Sequence, residues 1–179
     1  MIYKLLEAGS PSLSVPLPDT NFNVLKTKYN LTPQELYVNL KGTMAALGGI
    51  GLSANQCGIT ERVFVMYTNL EAKEIAIYFN PRVTWLSEET DYFTEGCLTY
   101  PFLFLNVKRP KAVEFTYMDL EGKEQKGKFS GLTARVFLHE YDHMEGKNFT
   151  QMVSKLKLEM GKKRAAKKFK KAVQRASAS

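Results

Sequence analysis

The sequence is poor in cysteine and histidine, with two of each among 179 residues. Two cysteines cannot form the framework of a small disulfide-stabilised domain, so we expect a reducing compartment. No apolar run approaches the roughly 20 residues that cross a bilayer, which argues against a membrane-embedded protein. The stretch from Met1 to Glu7 also lacks the apolar core of a signal peptide. We therefore expect a soluble protein with no membrane partner.

Acidic residues are scarce near the C-terminus. Between Lys155 and Arg175 the single acid, Glu159, stands among ten lysines and arginines. The whole chain has 25 basic and 18 acidic residues, so the remainder is nearly neutral and the net charge of +7 belongs to this segment. Charge concentrated in this way is typical of an interaction segment. We predict one domain over residues 1–154, followed by a basic helical tail over residues 155–179.

Local patterns predict helices towards both ends and strands in the middle. Thr32 and Glu35 form a capping-box pair around Pro33, which predicts a first helix over residues 33–47. Runs of β-branched and aromatic residues predict antiparallel strands, with a break at Asn80-Pro81, over residues 63–67, 74–79, 83–86, 111–117 and 124–129. A helix that holds both histidines follows and ends at Gly146. The predicted fold class is α+β, with antiparallel β-strands packed around that central helix.

Both histidines lie in His139-Glu140-Tyr141-Asp142-His143. Residues four apart share one face of an α-helix, so both imidazoles can reach one ion while Glu140 stays beside it. This is the H-E-x-x-H pattern of a hydrolytic metal site. The alternative is a surface helix with two solvated histidines. Asp142 is interpreted either as a surface charge or as a group that orients the ligands from behind.

A catalytic site with two histidines needs a third protein ligand and one open position. Cys97, in Glu95-Gly96-Cys97-Leu98-Thr99, is the candidate. A lone cysteine is more often a small buried hydrophobic residue, but its setting after a glycine at the end of a strand, upstream of the histidine helix, reverses that preference. The block from Gly49 to Gln56 also has two interpretations. Its glycines either loosen a turn that enters a strand, or bring the backbone close to a ligand while Gln56 projects a donor.

These three blocks, residues 49–56, 95–99 and 139–143, stand in the order and approximate spacing of one enzyme family: the chain resembles the peptide deformylases. The resemblance implies that Cys97, His139 and His143 bind one divalent metal ion. In that family the ion is usually iron(II), and zinc, nickel or cobalt can occupy the same ligands. Spacing alone favours zinc, because a thiolate with two imidazoles suits that ion.

The resemblance further implies metal-dependent hydrolysis of the N-terminal formyl group of N-formylmethionyl peptides, with release of formate. Glu140 would take the proton of the attacking water. The side-chain amide of Gln56 and the backbone N–H of Leu98 would bind the carbonyl oxygen as it gains charge. The segment Gly49-Ile50-Gly51 would pair with the peptide backbone in the manner of a β-strand.

Other residues are assigned supporting positions. Ile50, Phe137 and Leu138 are candidate walls of the methionine pocket, although each is equally suited to core packing. The resemblance also places an acid and a base at Glu95 and Arg109, and a buried acid requires such a partner. We expect this ion pair to support the Cys97 ligand.

The chain departs from the family pattern at several positions. Ser53 stands where alanine is usual, Thr99 where serine is usual, and Leu138 where glutamine is common. Phe102 and Phe104 replace residues that are often polar or charged. These differences concern pocket shape and peptide preference, and they leave the proposed ligands and base unchanged.

Two alternative functions are retained. A zinc peptidase of the H-E-x-x-H type usually takes its third ligand from downstream, whereas no histidine follows His143. A non-catalytic ribosome-binding relative would have lost its metal.

The basic tail also has two interpretations. It either solubilises the protein or docks on ribosomal RNA, as the resemblance to the C-terminal helix of some bacterial deformylases implies. We expect a monomer in a compartment with bacterial-type translation, which includes the bacterial cytoplasm, an organelle or a virus-infected bacterial host.

Overall fold

The structure is a computed structural model that describes residues 1–177; residues 178 and 179, at the end of the predicted tail, lie outside it. Antiparallel strands occupy the middle of the chain, with two helices before them and two after. The elements are α1 (Phe22–Tyr29), α2 (Pro33–Ala46), β1 (Gly51–Ser53), β2 (Val63–Asn69), β3 (Glu74–Leu86), β4 (Thr90–Cys97), β5 (Tyr100–Pro110), β6 (Ala112–Met118), β7 (Glu124–Ser130), α3 (Gly131–Met144) and α4 (Lys155–Ala176). The predicted α+β class is confirmed.

Helix α2 begins where the capping box predicts. The Thr32 hydroxyl accepts the Glu35 N–H at 3.2 Å, and the Glu35 carboxylate accepts the Thr32 N–H at 2.8 Å. These two bonds satisfy N–H groups that the first helical turn leaves without partners. Leu36, Leu40 and Met44 repeat at helical spacing and are fully buried against β1 and β2. Helix α2 therefore fixes the start of the strand that borders the site.

Five strands form one antiparallel sheet in the order β1-β2-β3-β6-β7, and β4 and β5 form a separate two-stranded ribbon. Strand β1 is an edge strand, paired with β2 on one side only within residues 1–177. Helix α3 packs on the sheet through Phe137, whose ring stacks on Phe115 with centroids 3.9 Å apart. Leu138 belongs to the same buried cluster.

The predicted break at Asn80-Pro81 is wrong, because β3 continues through it. The strand changes partner there: residues up to Phe79 pair with β2, and residues from Arg82 pair with β6 after a register shift. Asn80 adopts a φ of 51°. Its side chain accepts the Thr20 N–H at 2.6 Å and donates to the Thr20 carbonyl at 3.0 Å. A bulge held by hydrogen bonds to Thr20 thus accommodates a proline within the strand.

Helix α4, which begins at Lys155, packs along β5. Gly161 permits this approach, since a Cβ atom there would lie 2.6 Å from Leu105 Cδ2 and 3.1 Å from Leu103 Cδ1. The predicted basic tail is therefore helical and in contact with the ribbon that carries Cys97. No helix within residues 1–177 combines the length and apolar character needed to cross a membrane.

Candidate metal centre

The three predicted ligands converge although Cys97 and His139 are 42 positions apart in the sequence. Cys97 is the last residue of β4, and His139 and His143 lie one turn apart on α3. One ligand atom from each lies within 4.8 Å of the others, and Cys97 Sγ is 3.5 Å from His143 Nε2. Tetrahedral ligands with metal–sulfur and metal–nitrogen bonds of about 2.3 and 2.0 Å would have sulfur and nitrogen roughly 3.5 Å apart. The residues therefore fit a divalent metal ion.

The two imidazoles have different protonation states. Burial, with repulsion from the charges of His139 and Arg109, lowers the pKa of His143 to about 3, so that its ring is neutral. Burial also lowers the pKa of His139, but hydrogen bonds to Cys97 and Glu95 outweigh this effect and raise it to about 10. A metal ion would therefore bind His143 directly and would displace a proton at His139.

Glu95 lies behind His139 and fixes the orientation of its ring. Glu95 Oε2 is 3.0 Å from His139 Nδ1, which leaves Nε2 free for a metal. The predicted ion pair with Arg109 is confirmed, with Nε–Oε1 and Nη2–Oε2 distances of 2.6 and 2.9 Å. Burial raises the pKa of Glu95, but the bonds from His139 and Arg109 hold it at about 2.

Two further residues complete this buried network. Arg109 Nη1 donates to Asp142 Oδ2 at 2.8 Å, so Asp142 lies behind the ligands and is not a free surface charge. Arg135 Nη1 donates to Glu95 Oε1 at 2.9 Å and to the Val107 carbonyl at 3.0 Å. Sequence reasoning missed Arg135, although it lies four residues before His139 and hence on the same face of α3.

Glu140 is 4% exposed and faces the same space as the ligands. Burial raises its pKa, while the positive charge of His139 and a hydrogen bond from Ser53 lower it. The Ser53 hydroxyl donates to Glu140 Oε2 at 2.6 Å. Gly51 packs against this carboxylate so closely that a Cβ atom would overlap it. The predicted close approach of backbone to the site is therefore present at Gly51.

Gln56 directs its amide nitrogen towards the ligands. Its Oε1 accepts the Ser53 N–H at 2.9 Å, which fixes the amide orientation. Its Nε2 donates to Thr99 Oγ1 at 2.9 Å and to Cys97 Sγ at 3.3 Å. The block from Gly49 to Gln56 thus combines its two interpretations: it is a strand entry and it also supplies a donor.

A groove of about 610 Å³ passes over these groups. Residues of the β1 entry line one part of it, and residues of the β4–β5 ribbon line another. Its lining includes Gly49, Ile50, Gly51, Phe93, Gly96, Leu98, Phe102, Phe104, Leu132, Arg135 and Val136. Ile50 lines this groove, whereas Phe137 and Leu138 follow the core-packing alternative and belong to the buried core. Leu132 and Val136 present the apolar surface of α3 to the groove instead.

Comparisons with known proteins give one consistent result. Residues 2–159 match the family model described as polypeptide deformylase. A peptide deformylase of Wolbachia pipientis wMel is 39% identical over 151 residues, covering 79% of this chain and 84% of that protein. The crystal structure of a peptide deformylase from Legionella pneumophila superposes with a TM-score of 0.83 at 30% identity, covering 98% of this chain and 99% of the other. A class I type b peptide deformylase from Acinetobacter baumannii, with Met-Ala-Ser bound, has a TM-score of 0.75 at 25% identity over 86% of this chain and 99% of that one.

Proposed function

Since the chain belongs to the peptide deformylase family, we propose that Cys97, His139 and His143 hold the metal ion of this deformylase, with Glu140, Gln56 and Leu98 as its catalytic groups. The protein is a metal-dependent hydrolase that removes the N-formyl group from newly made peptides. The observation that carries the proposed roles is the convergence of the three ligand atoms beside the buried Glu140 carboxylate.

We propose iron(II) as the native ion, with zinc, nickel or cobalt able to use the same thiolate and imidazoles. A divalent ion held there would polarise the formyl carbonyl and lower the pKa of a water molecule beside it. His139 and His143 supply neutral nitrogen ligands, and Glu95 holds the His139 ring in place.

The side chains around the ion divide the reaction between them. Glu140 accepts a proton from the water that attacks the formyl carbon. As the carbonyl oxygen gains charge, Gln56 Nε2 and the Leu98 N–H donate to it. Glu140 then passes the proton to the amine nitrogen as the carbon–nitrogen bond breaks, which yields formate and a free N-terminus. The raised pKa of Glu140 favours this exchange of roles.

The edge of β1, which has no strand partner within residues 1–177, provides the means of holding the peptide. Segment Gly49-Ile50-Gly51 would pair with the peptide main chain, and recognition of main chain would permit activity on many sequences. The apolar surface of Leu132, Val136 and Phe93 would receive the methionine side chain.

Formate release from formyl-Met-Ala-Ser tests these roles. We expect Glu140→Gln to lower kcat by about 10³-fold, because a general base typically contributes 10²–10⁴. Elemental analysis of anaerobically purified protein should show that the variant keeps its metal. Full activity in Glu140→Gln would contradict the role of Glu140, and cleavage of unformylated peptides without formate would favour the peptidase alternative.

For the basic tail, we propose docking of α4 on ribosomal RNA. Its lysines and arginines are exposed, and phosphate binding by such a surface weakens steeply with salt. Because α4 also covers β5, charge removal is a cleaner test than deletion. Replacing Lys163, Lys167, Lys170 and Lys171 by glutamine should abolish cosedimentation with ribosomes and leave peptide turnover unchanged. Unchanged cosedimentation would exclude docking through α4.

The remaining assignments are also proposals. We propose that residues 1–154 form the catalytic domain, that the enzyme is monomeric, and that it works in the cytoplasm of a cell or host with bacterial-type translation. Light scattering at micromolar concentration tests whether the enzyme is monomeric, and the mass of a single chain is expected.

A further inference from the structure

Ser53 lies beside the site without a part in the chemistry described above. It is one of the positions at which the chain departs from the family pattern, since alanine is usual there. Ser53 is 0% exposed and does not line the groove, so its side chain is out of reach of a bound peptide. Any effect of its hydroxyl on the reaction must therefore pass through a neighbouring side chain.

That neighbour is Glu140. The Ser53 hydroxyl donates to Glu140 Oε2 at 2.6 Å, and within residues 1–177 this is the one hydrogen bond that the carboxylate accepts. A hydroxyl at this distance from a carboxylate makes a charge-assisted bond, which is about twice as strong as a bond between neutral groups. Because Glu140 is buried, solvent competes little for Oε2.

The two oxygens of Glu140 have different surroundings. Oε1 accepts no hydrogen bond within the described part of the chain and lies against Gly51, where a Cβ atom would overlap it. Gly51 lines the groove, whereas Ser53 does not. Residues two apart on a strand share one face, so Gly51 and Ser53 both face α3. Strand β1 thus holds the carboxylate at two points, with Oε2 bound and Oε1 beside the groove.

Ser53 is also joined to the proposed oxyanion donor. Its backbone N–H donates to Gln56 Oε1 at 2.9 Å. This second bond comes from the main chain and remains when the side chain is replaced. A substitution at Ser53 therefore removes the contact with Glu140 and keeps the contact with Gln56.

We propose that the Ser53 hydroxyl is a positioning group for the general base: it holds Oε2 of Glu140 and leaves Oε1 to accept the proton of the attacking water. This inference rests on the deformylase function proposed above. The last torsion of a glutamate side chain is broad, so a carboxylate without an anchor turns readily. A general base must lie within hydrogen-bond reach of the proton that it removes. An anchored carboxylate keeps its free oxygen in that position.

The test measures formate release from formyl-Met-Ala-Ser by Ser53→Ala. Alanine needs no new space at this buried position, and circular dichroism should show that the variant is folded. We expect kcat to fall about tenfold, less than the roughly 10²-fold loss that a misplacement of about 1 Å can cause. KM should change by less than about twofold, because an interaction that acts only in the transition state alters kcat and leaves KM unchanged.

Thr43→Val is the matched control. Thr43 is also 0% exposed and lies away from the groove, and its hydroxyl accepts the Tyr3 N–H at 2.9 Å and donates to the Asn39 carbonyl at 2.7 Å. Its loss should lower the free energy of unfolding and leave kcat unchanged. A general effect of removing a buried hydroxyl would instead lower kcat in both variants and would overturn the proposal.

A double-mutant cycle with Glu140→Gln tests whether Ser53 acts through the base. In that background Ser53→Ala should change kcat by less than about twofold, because no base remains to be positioned. Crystal structures of the zinc-bound proteins give a second measurement, in which the Glu140 carboxylate of Ser53→Ala should occupy an orientation that the unmodified protein lacks.

Three results would overturn the positioning role and leave the deformylase function intact. They are an unchanged kcat in Ser53→Ala, an equal tenfold loss in the Glu140→Gln background, and a Glu140 carboxylate that keeps one identical orientation. Absence of formate release from the unmodified protein loaded with metal would instead overturn the deformylase function and this inference with it.

Discussion

Replacing the arginines that hold Glu95 should destabilise the protein by different amounts. Arg109 makes two bonds to Glu95 and one to Asp142, and the side chains of these acids are 5% and 14% exposed. In Arg109→Met both buried carboxylates lose their bonds to this cation. Removal of one partner from a buried ion pair costs about 3–5 kcal/mol, and we expect a loss in that range.

Arg135→Met should cost less, although Arg135 is equally buried. Glu95 keeps its two bonds to Arg109 in this variant and loses one bond of 2.9 Å. The other acid that Arg135 contacts, Asp91, has a side chain that is 47% exposed and can be hydrated. Loss of one hydrogen bond to a charged group costs about 1.5–3 kcal/mol, which sets the expected effect.

Urea unfolding monitored by circular dichroism measures both losses, with Lys111→Met as the control. The Lys111–Glu89 pair has side chains that are 49% and 78% exposed, so its removal should cost less than about 1 kcal/mol. The series should be measured with chelator and again at one fixed metal concentration, because bound metal adds its own stabilisation. If Arg109→Met costs no more than Lys111→Met, the inference that this network holds His139 in place is refuted.

Three other predictions follow from single contacts. Gln56→Leu should lower kcat for formate release by about 10²–10³-fold with metal content unchanged, because one oxyanion donor is lost; a normal kcat would exclude the donor role. Gly51→Ala should abolish most activity, because its Cβ would overlap Glu140. The control Gly42→Ala lies inside α2, where the new Cβ would make an ordinary contact at 3.5 Å, so it should keep activity and raise the free energy of unfolding by up to about 1 kcal/mol. Equal activity in the two variants would contradict this. Burial raises the pKa of the Cys57 thiol to about 12, so iodoacetamide at pH 8 should modify Cys57 only after unfolding. Cys97 should be modified in the folded protein, but only after metal removal. Peptide mass spectrometry would show both results.

Elements with strong local signals could be predicted from the sequence. The capping box at Thr32 fixed the start of α2, and the histidine spacing fixed the face of α3. Helix α1 was missed because its eight residues bury a single side chain, Leu25, and offer little periodicity. The bulge at Asn80 was read as a break because its stabilising bonds come from Thr20, sixty residues earlier. Such contacts depend on tertiary structure and leave no local pattern.

The pairing of β4 with β5 was missed for a different reason, although the end of a strand at Cys97 was expected. Strand β4 is mostly exposed and carries charged and polar residues, so it lacks the alternation that marks a half-buried strand. Its one buried acid, Glu95, was found through the family pattern, yet its second partner, Arg135, was not. A charged residue within a helix of buried residues requires a partner, and this requirement could have identified Arg135.

Helix α3 shows why ligands are easier to predict than pocket walls. Apolar residues occur on more than one side of this helix, and hydrophobicity alone cannot distinguish a wall of the groove from the core. His139 resolves the choice, because residues three, four and seven positions before it share its face. Counting back from His139 reaches Val136, Arg135 and Leu132, which line the groove, whereas Phe137 and Leu138, two positions and one position before it, lie off this stripe and pack in the core. Helical phase relative to His139, and not hydrophobic content, therefore determines which residues of α3 line the groove.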